Sequence, residues 1–178
     1  MNKIIALVGM PGAGKSVIAE HFKHKSYQYV YFGGITMKEV KVRGLEINPE
    51  TEKIVREDLR KKYGMGAYAK LIIPEIDEKL KDGNVIADGL YSWSEYKILK
   101  EKYNNNLKIL AVFAPPELRY ERLSSREVRP ISKDDAKKRD FDEILNLEKG
   151  GPIAMADYTL LNTGDLNYLL HQMESLEL

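Results

Sequence analysis

A doubly wound α/β fold with a parallel sheet is what this sequence predicts, on two observations. Short, unbroken apolar runs recur along the chain, as expected of strands buried on both faces. Segments with helical spacing separate them, the alternation that builds a sheet with helices on either side. The 178 residues suit one domain, long enough to bury a core without disulfides or a structural metal.

Ile4-Ile5-Ala6-Leu7-Val8 is the first such run. A weaker one is Tyr29-Val30-Tyr31-Phe32, and the signal returns at Val85-Ile86-Ala87, Leu107 to Phe113 and Tyr158-Thr159-Leu160-Leu161. Helical periodicity covers roughly 15–24, 35–43, 50–62, 65–81, 93–103, 116–127, 133–148 and 165–176. Pro115-Pro116 reads as a helix start and Gly150-Gly151-Pro152 as a helix stop. Ser132 with Asp135 resembles a capping box with Asp in place of Glu. No repeat, low-complexity tract or long linker interrupts the pattern.

Composition narrows the function classes. There is no cysteine, so neither a disulfide framework nor a thiolate metal site can be written. Twenty-eight basic residues face twenty-seven acidic ones, and this balance gives no reason to expect a nucleic-acid partner. No stretch approaches the roughly 20 apolar residues of a membrane span, and the first apolar run is too short for a secretion signal. A cytoplasmic protein, monomeric or homodimeric, is the expectation. His21, His24 and His171 show no ligand spacing with carboxylates and receive no role.

Gly9-Met10-Pro11-Gly12-Ala13-Gly14-Lys15-Ser16 matches G-x-x-x-x-G-K-[ST] at every fixed position. The motif follows a predicted strand and opens a predicted helix, the context it requires. Glycines let main-chain N–H groups turn inward at phosphates, and the helix start adds a positive dipole end. Lys15 is expected to reach the β- and γ-phosphates of ATP, with Ser16 on Mg²⁺ and Val17 completing the cradle. Asp88, directly after the third apolar run, is the candidate for the second Mg²⁺ position.

Arg119, Arg122 and Arg126 fall at i, i+3 and i+7, one face of a predicted helix. Arg129 follows, and Pro130 biases it toward an extended conformation. From Arg119 to Arg139 there are eight basic residues against four acidic ones, although the chain as a whole is balanced. Guanidinium groups match the geometry of transferring phosphoryl oxygens, so Arg122, Arg126 and Arg129 are read as catalytic lid residues beside Lys15 and Asp88. For Arg119 an ion-paired structural role stands level with this one.

These features resemble the nucleoside monophosphate kinase group of P-loop kinases. After the third strand adenylate kinases carry Asp-Gly-Phe-Pro-Arg; Asp88-Gly89-Leu90-Tyr91-Ser92 keeps the aspartate and lacks the acceptor-binding arginine. Ala156-Asp157-Tyr158-Thr159-Leu160-Leu161-Asn162-Thr163-Gly164-Asp165-Leu166 is similar to the closing strand and loop of dephospho-CoA kinases. That resemblance makes Asn162, Thr163 and Gly164 candidates for contact with adenine. A set of uncharacterised proteins related to both groups resembles nearly the whole chain, through Tyr63-Gly64-Met65-Gly66-Ala67, Ala114-Pro115-Pro116 and Gly151-Pro152-Ile153-Ala154-Met155-Ala156-Asp157.

The resemblance implies a three-layer P-loop NTPase fold with strand order 2-3-1-4-5. It also implies an acceptor-binding helical insertion at about 33–81 and an arginine-bearing lid at about 119–139. Arg43, Lys70 and Tyr91 are the candidate acceptor contacts. Dephospho-CoA kinases place an aspartate just after strand 2, whereas Phe32-Gly33-Gly34-Ile35-Thr36 has no acid. The implied activity is transfer of the γ-phosphate of ATP, with Mg²⁺, to a nucleotide-like acceptor, dephospho-CoA kinase-like. A nucleoside monophosphate kinase and a catalytically inactive ATP-binding sensor are the alternatives. A GTPase is disfavoured because Asn162-Thr163-Gly164-Asp165 lacks the lysine of a guanine-reading loop.

Overall fold

The computed structural model describes residues 2–176. Five parallel strands stand in the order β2-β3-β1-β4-β5: β1 Ile4–Val8, β2 Gln28–Tyr31, β3 Val85–Asp88, β4 Leu107–Phe113 and β5 Tyr158–Leu161. The expected sheet order is the observed one. In the register, Leu7 of β1 pairs with Asp88 of β3 and Val8 with Ala111 of β4. The carboxyl ends of the three central strands therefore open onto one edge, where the loop after β1 begins.

Side-chain alternation along β1 divides the interior into two layers. Ile4, Ala6 and Val8 join Val30, Phe32, Ile72, Ile76 and Leu99 on one side. Ile5 and Leu7 pack with Ile18, Phe22, Leu160, Leu169 and Met173 on the other. The second layer is closed by α1 (Lys15–His24) and α9 (Leu166–Glu174); the first by α2 (Gly33–Val42), α3 (Pro49–Tyr63), α4 (Ala67–Lys79) and α5 (Trp93–Tyr103). Two helices remain on the phosphate-loop side, α6 (Pro116–Ser125) and α7 (Lys133–Leu147), followed by the short α8 (Gly150–Ala154).

Local chemistry explains the boundaries. Asn48 caps α3 ahead of Pro49, and Ser92 with Glu95 forms a reciprocal capping box on α5. Ser132 accepts from the Asp135 amide and donates to the Asp135 carboxylate, so α7 has its cap without the reciprocal half of a box.

Three expectations are corrected. Gly150-Gly151-Pro152 does not end a helix but lies in α8, since α7 has already stopped at Glu148, which is left-handed at φ 52°. Arg126 leaves α6 with extended dihedrals and so does not share a helical face with Arg119 and Arg122. Arg129 is left-handed, φ 52°, rather than extended. Among the described residues no helix is long and apolar enough to cross a membrane.

Candidate active site

The loop after β1 turns through left-handed glycines at positions 9, 12 and 14 and delivers Lys15 at the start of α1. Gly14 shows why no side chain is admitted: a Cβ there would stand 2.1 Å from Asn162 Nδ2. The Asn162 amide instead donates to the Ala13 carbonyl, 2.8 Å, clasping the loop after β5 onto the phosphate loop. Lys15 Nζ donates to the carbonyls of Gly9 (2.8 Å) and Met10 (3.3 Å), so the ammonium folds back on its own loop. Burial, together with the nearby Lys149 ammonium, pushes Lys15 down to about 7, while Asp88 opposes the shift. Ser16 and Val17 stand exposed on the first turn of α1, and Pro11 and Ala13 are buried beneath the loop.

Asp88 ends β3 almost buried and accepts a hydrogen bond from the Tyr29 hydroxyl on Oδ2, 3.2 Å. Burial raises its pKa, and Lys15, Tyr29 and Lys149 pull it back. Among the described residues no group of three or more His, Asp or Glu side chains gathers to hold a metal unaided. Ser16 and Asp88 nevertheless fit Mg²⁺, which takes one or two protein oxygens and fills its octahedron with phosphate and water. Bound there, the ion would neutralise phosphate charge.

The arginines divide into distinct roles. Arg119 is buried: it grips Asp140 through two bonds of 2.9 and 2.6 Å, and donates to Ala114 and Pro11 carbonyls. It is an anchor for the phosphate loop. Arg122 Nη2 reaches the Asn162 carbonyl at 3.1 Å, while its Nη1 is buried without a hydrogen-bond partner. Arg126 donates to the Arg129 carbonyl, and Arg129 reaches across to Glu52 of α3 at 3.1 Å. Burial and the like charges of Arg139 and Arg129 lower the Arg126 pKa.

The candidate acceptor contacts separate. Arg43 is tied to Glu39 and Asp58, on a depression of about 600 Å³ to which residues 9–16 contribute no wall. Lys70 donates to the Tyr63 carbonyl on the surface. Neither is brought to the phosphate loop. Tyr91 stands just beyond the end of β3: its hydroxyl lies against Gly89, next to Asp88, and the Lys149 ammonium sits 5.3 Å from its ring centroid. Tyr68 and Trp93 serve packing, Tyr68 bonded to Thr36 (2.6 Å) and Trp93 stacked on Tyr96. Thr163 and Gly164 lie exposed beyond Asn162.

Sequence reasoning missed several groups. Lys149 is fully buried against Glu143 of α7, which also accepts from Arg139 at 3.0 Å. In the insertion, Arg60 lies over the Tyr68 ring with its Nε buried and unpartnered. Glu95 is wholly buried and pushed up to about 7 by burial, although Tyr91 and Ser92 amides donate to it. Lys149, Glu143 and Glu95 carry no local signal except the capping pattern Ser92-x-x-Glu95.

Sheet order, glycine loop, Lys15 and strand-end aspartate together define a P-loop fold of the kinase-like class. A family model described as an AAA domain matches residues 8–139. The UPF0200 protein of Thermococcus kodakarensis is 38% identical over 165 residues, spanning 90% of this chain and 89% of that one. The chain belongs to the AAA-domain family and to the UPF0200 proteins. The fold is also that of a shikimate kinase from Bacteroides thetaiotaomicron, with TM-score 0.63, 16% identity and 99% of both chains covered. A gluconokinase from Sinorhizobium meliloti 1021 is similar at TM-score 0.61 and 13% identity, over 96% of this chain and 88% of that one.

Proposed function

We propose that this protein is a phosphotransferase that moves the γ-phosphate of ATP, with Mg²⁺, onto a small nucleotide-like acceptor. One observation carries the proposal: the Leu7–Asp88 register sets a buried carboxylate beside the loop that holds Lys15, on the edge where three strands end. In this reading the main-chain amides of 9–16 and Lys15 bind the β- and γ-phosphates. Ser16 and Asp88 hold the metal, and Arg122, Arg126 and Arg129 neutralise charge on the transferring group. The acceptor oxygen attacks phosphorus in line as the bond to the ADP oxygen breaks. Most of the catalysis is positioning and charge neutralisation.

The insertion side suits an anionic acceptor, since the buried Arg60 Nε lacks a partner and guanidinium donors pair readily with phosphate. The global resemblance to dephospho-CoA kinases favours dephospho-CoA. A second reading, a nucleoside monophosphate, is favoured by the end of β2, where Tyr31, Phe32 and Gly33 stand in place of an acid. An acceptor phosphate is already ionised at neutral pH and needs no base. Purified protein with MgATP should therefore release ADP when supplied with dephospho-CoA or with AMP, CMP, UMP or GMP. Lys15→Ala should lower that release on the order of 100-fold or more. Tight ATP binding without acceptor-stimulated release would leave the sensor reading in its place.

A further inference from the structure

We infer that Lys149 is a second lysine for the nucleotide, held in reserve by Glu143 and delivered to the terminal phosphate when a triphosphate fills the loop. The inference rests on the phosphotransferase reading and adds a residue to it.

Lys149 is only 1% exposed, a rare condition for a lysine, and its ammonium is paired with Glu143, itself 7% exposed. Glu143 serves two cations, Lys149 on Oε2 and Arg139 on Oε1, so the trio keeps a net positive charge. Position gives that charge a meaning. The ammonium lies over Tyr91, whose hydroxyl abuts Gly89 immediately after Asp88, at the strand edge shared with the phosphate loop. Among charged neighbours, Lys149 acts most strongly on Lys15. The two ammonium groups repel each other, and a buried lysine gains nothing for the fold that an apolar side chain would not supply. A polyanion between them removes the conflict.

The mount is rigid. Glu148 turns left-handed, the Lys149 amide donates to the Glu143 carbonyl at 3.2 Å, and Gly151 packs so closely on Trp93 that a Cβ would come within 2.7 Å of its ring.

The test compares binding of the imido analogue of ATP and of ADP, each with Mg²⁺. The proteins are wild type, Lys149→Gln, and the double variant Lys149→Gln/Glu143→Gln, which leaves no buried unpaired acid. Loss of one charge-assisted contact to the terminal phosphate should weaken the triphosphate about 10- to 100-fold and ADP less than about threefold. The double variant should show the same split, and it decides the matter if the single one fails to fold. Equal loss for both nucleotides, or no loss of the triphosphate, overturns the role of Lys149 and leaves the phosphotransferase reading standing. Wild-type protein that binds neither nucleotide overturns both.

Discussion

At Lys15, depth and charge oppose each other. An ordinary lysine ammonium persists beyond pH 10, yet here burial and Lys149 bring the pKa to about 7. Near neutrality the free protein thus carries this group only partly protonated. A triphosphate favours the charged form, so binding between pH 7 and pH 10 should take up a proton, and affinity should fall as pH rises through 7. Calorimetric titration in buffers of different ionisation enthalpy measures the uptake directly. Buffer-independent heats near pH 8 would defeat the expectation, and Lys15→Ala should abolish the dependence. The place of Lys15 at the head of α1 was legible because the motif that predicts it occupies eight consecutive residues, 9–16. Lys149 was not, because its surroundings come from Glu143 on α7 and Tyr91 after β3, which no local pattern connects.

Among the elements, α6 and α7 are joined by one buried pair. Arg119 and Asp140 are nearly inaccessible, and the Tyr120 hydroxyl adds a third bond to the Asp140 carboxylate. Arg119→Ala strands that carboxylate and should cost about 3–5 kcal/mol in urea unfolding. Arg119→Met/Asp140→Leu, which removes both charges, should recover most of the loss. A single variant within about 0.5 kcal/mol of wild type would contradict the anchoring role. Spacing brought Arg119 and Arg122 to one helix but could not show that Arg126 departs from it. The i, i+7 relation presumes a helix that continues, whereas α6 ends at Ser125. The short α8 was hidden for a related reason: glycine and proline stop helices by propensity, and here packing of Gly151 on Trp93 overrides it.

On the scale of the molecule, the strands and most helices followed from apolar runs and periodicity, because strands buried on both faces leave continuous signals. Strand order did not. It came from the family resemblance, since pairing between β2 and β3 joins residues far apart in sequence. If a nucleotide binds the folded chain alone, MgATP at a hundred times its dissociation constant adds about 2.7 kcal/mol of stability. For a domain of this size that should raise the melting temperature by about 5–10 °C, an increase lost in Lys15→Ala. No shift in the wild type would speak against nucleotide binding.

The clasp of Asn162 on Ala13 joins positions 149 residues apart. A ribosome that has released the first strand and its glycine turn has made a phosphate grip still missing its fastener, which emerges only with the fifth strand. Nucleotide competence should therefore arrive late in synthesis, and fragments ending before residue 158 should carry the motif without the capacity to hold a triphosphate.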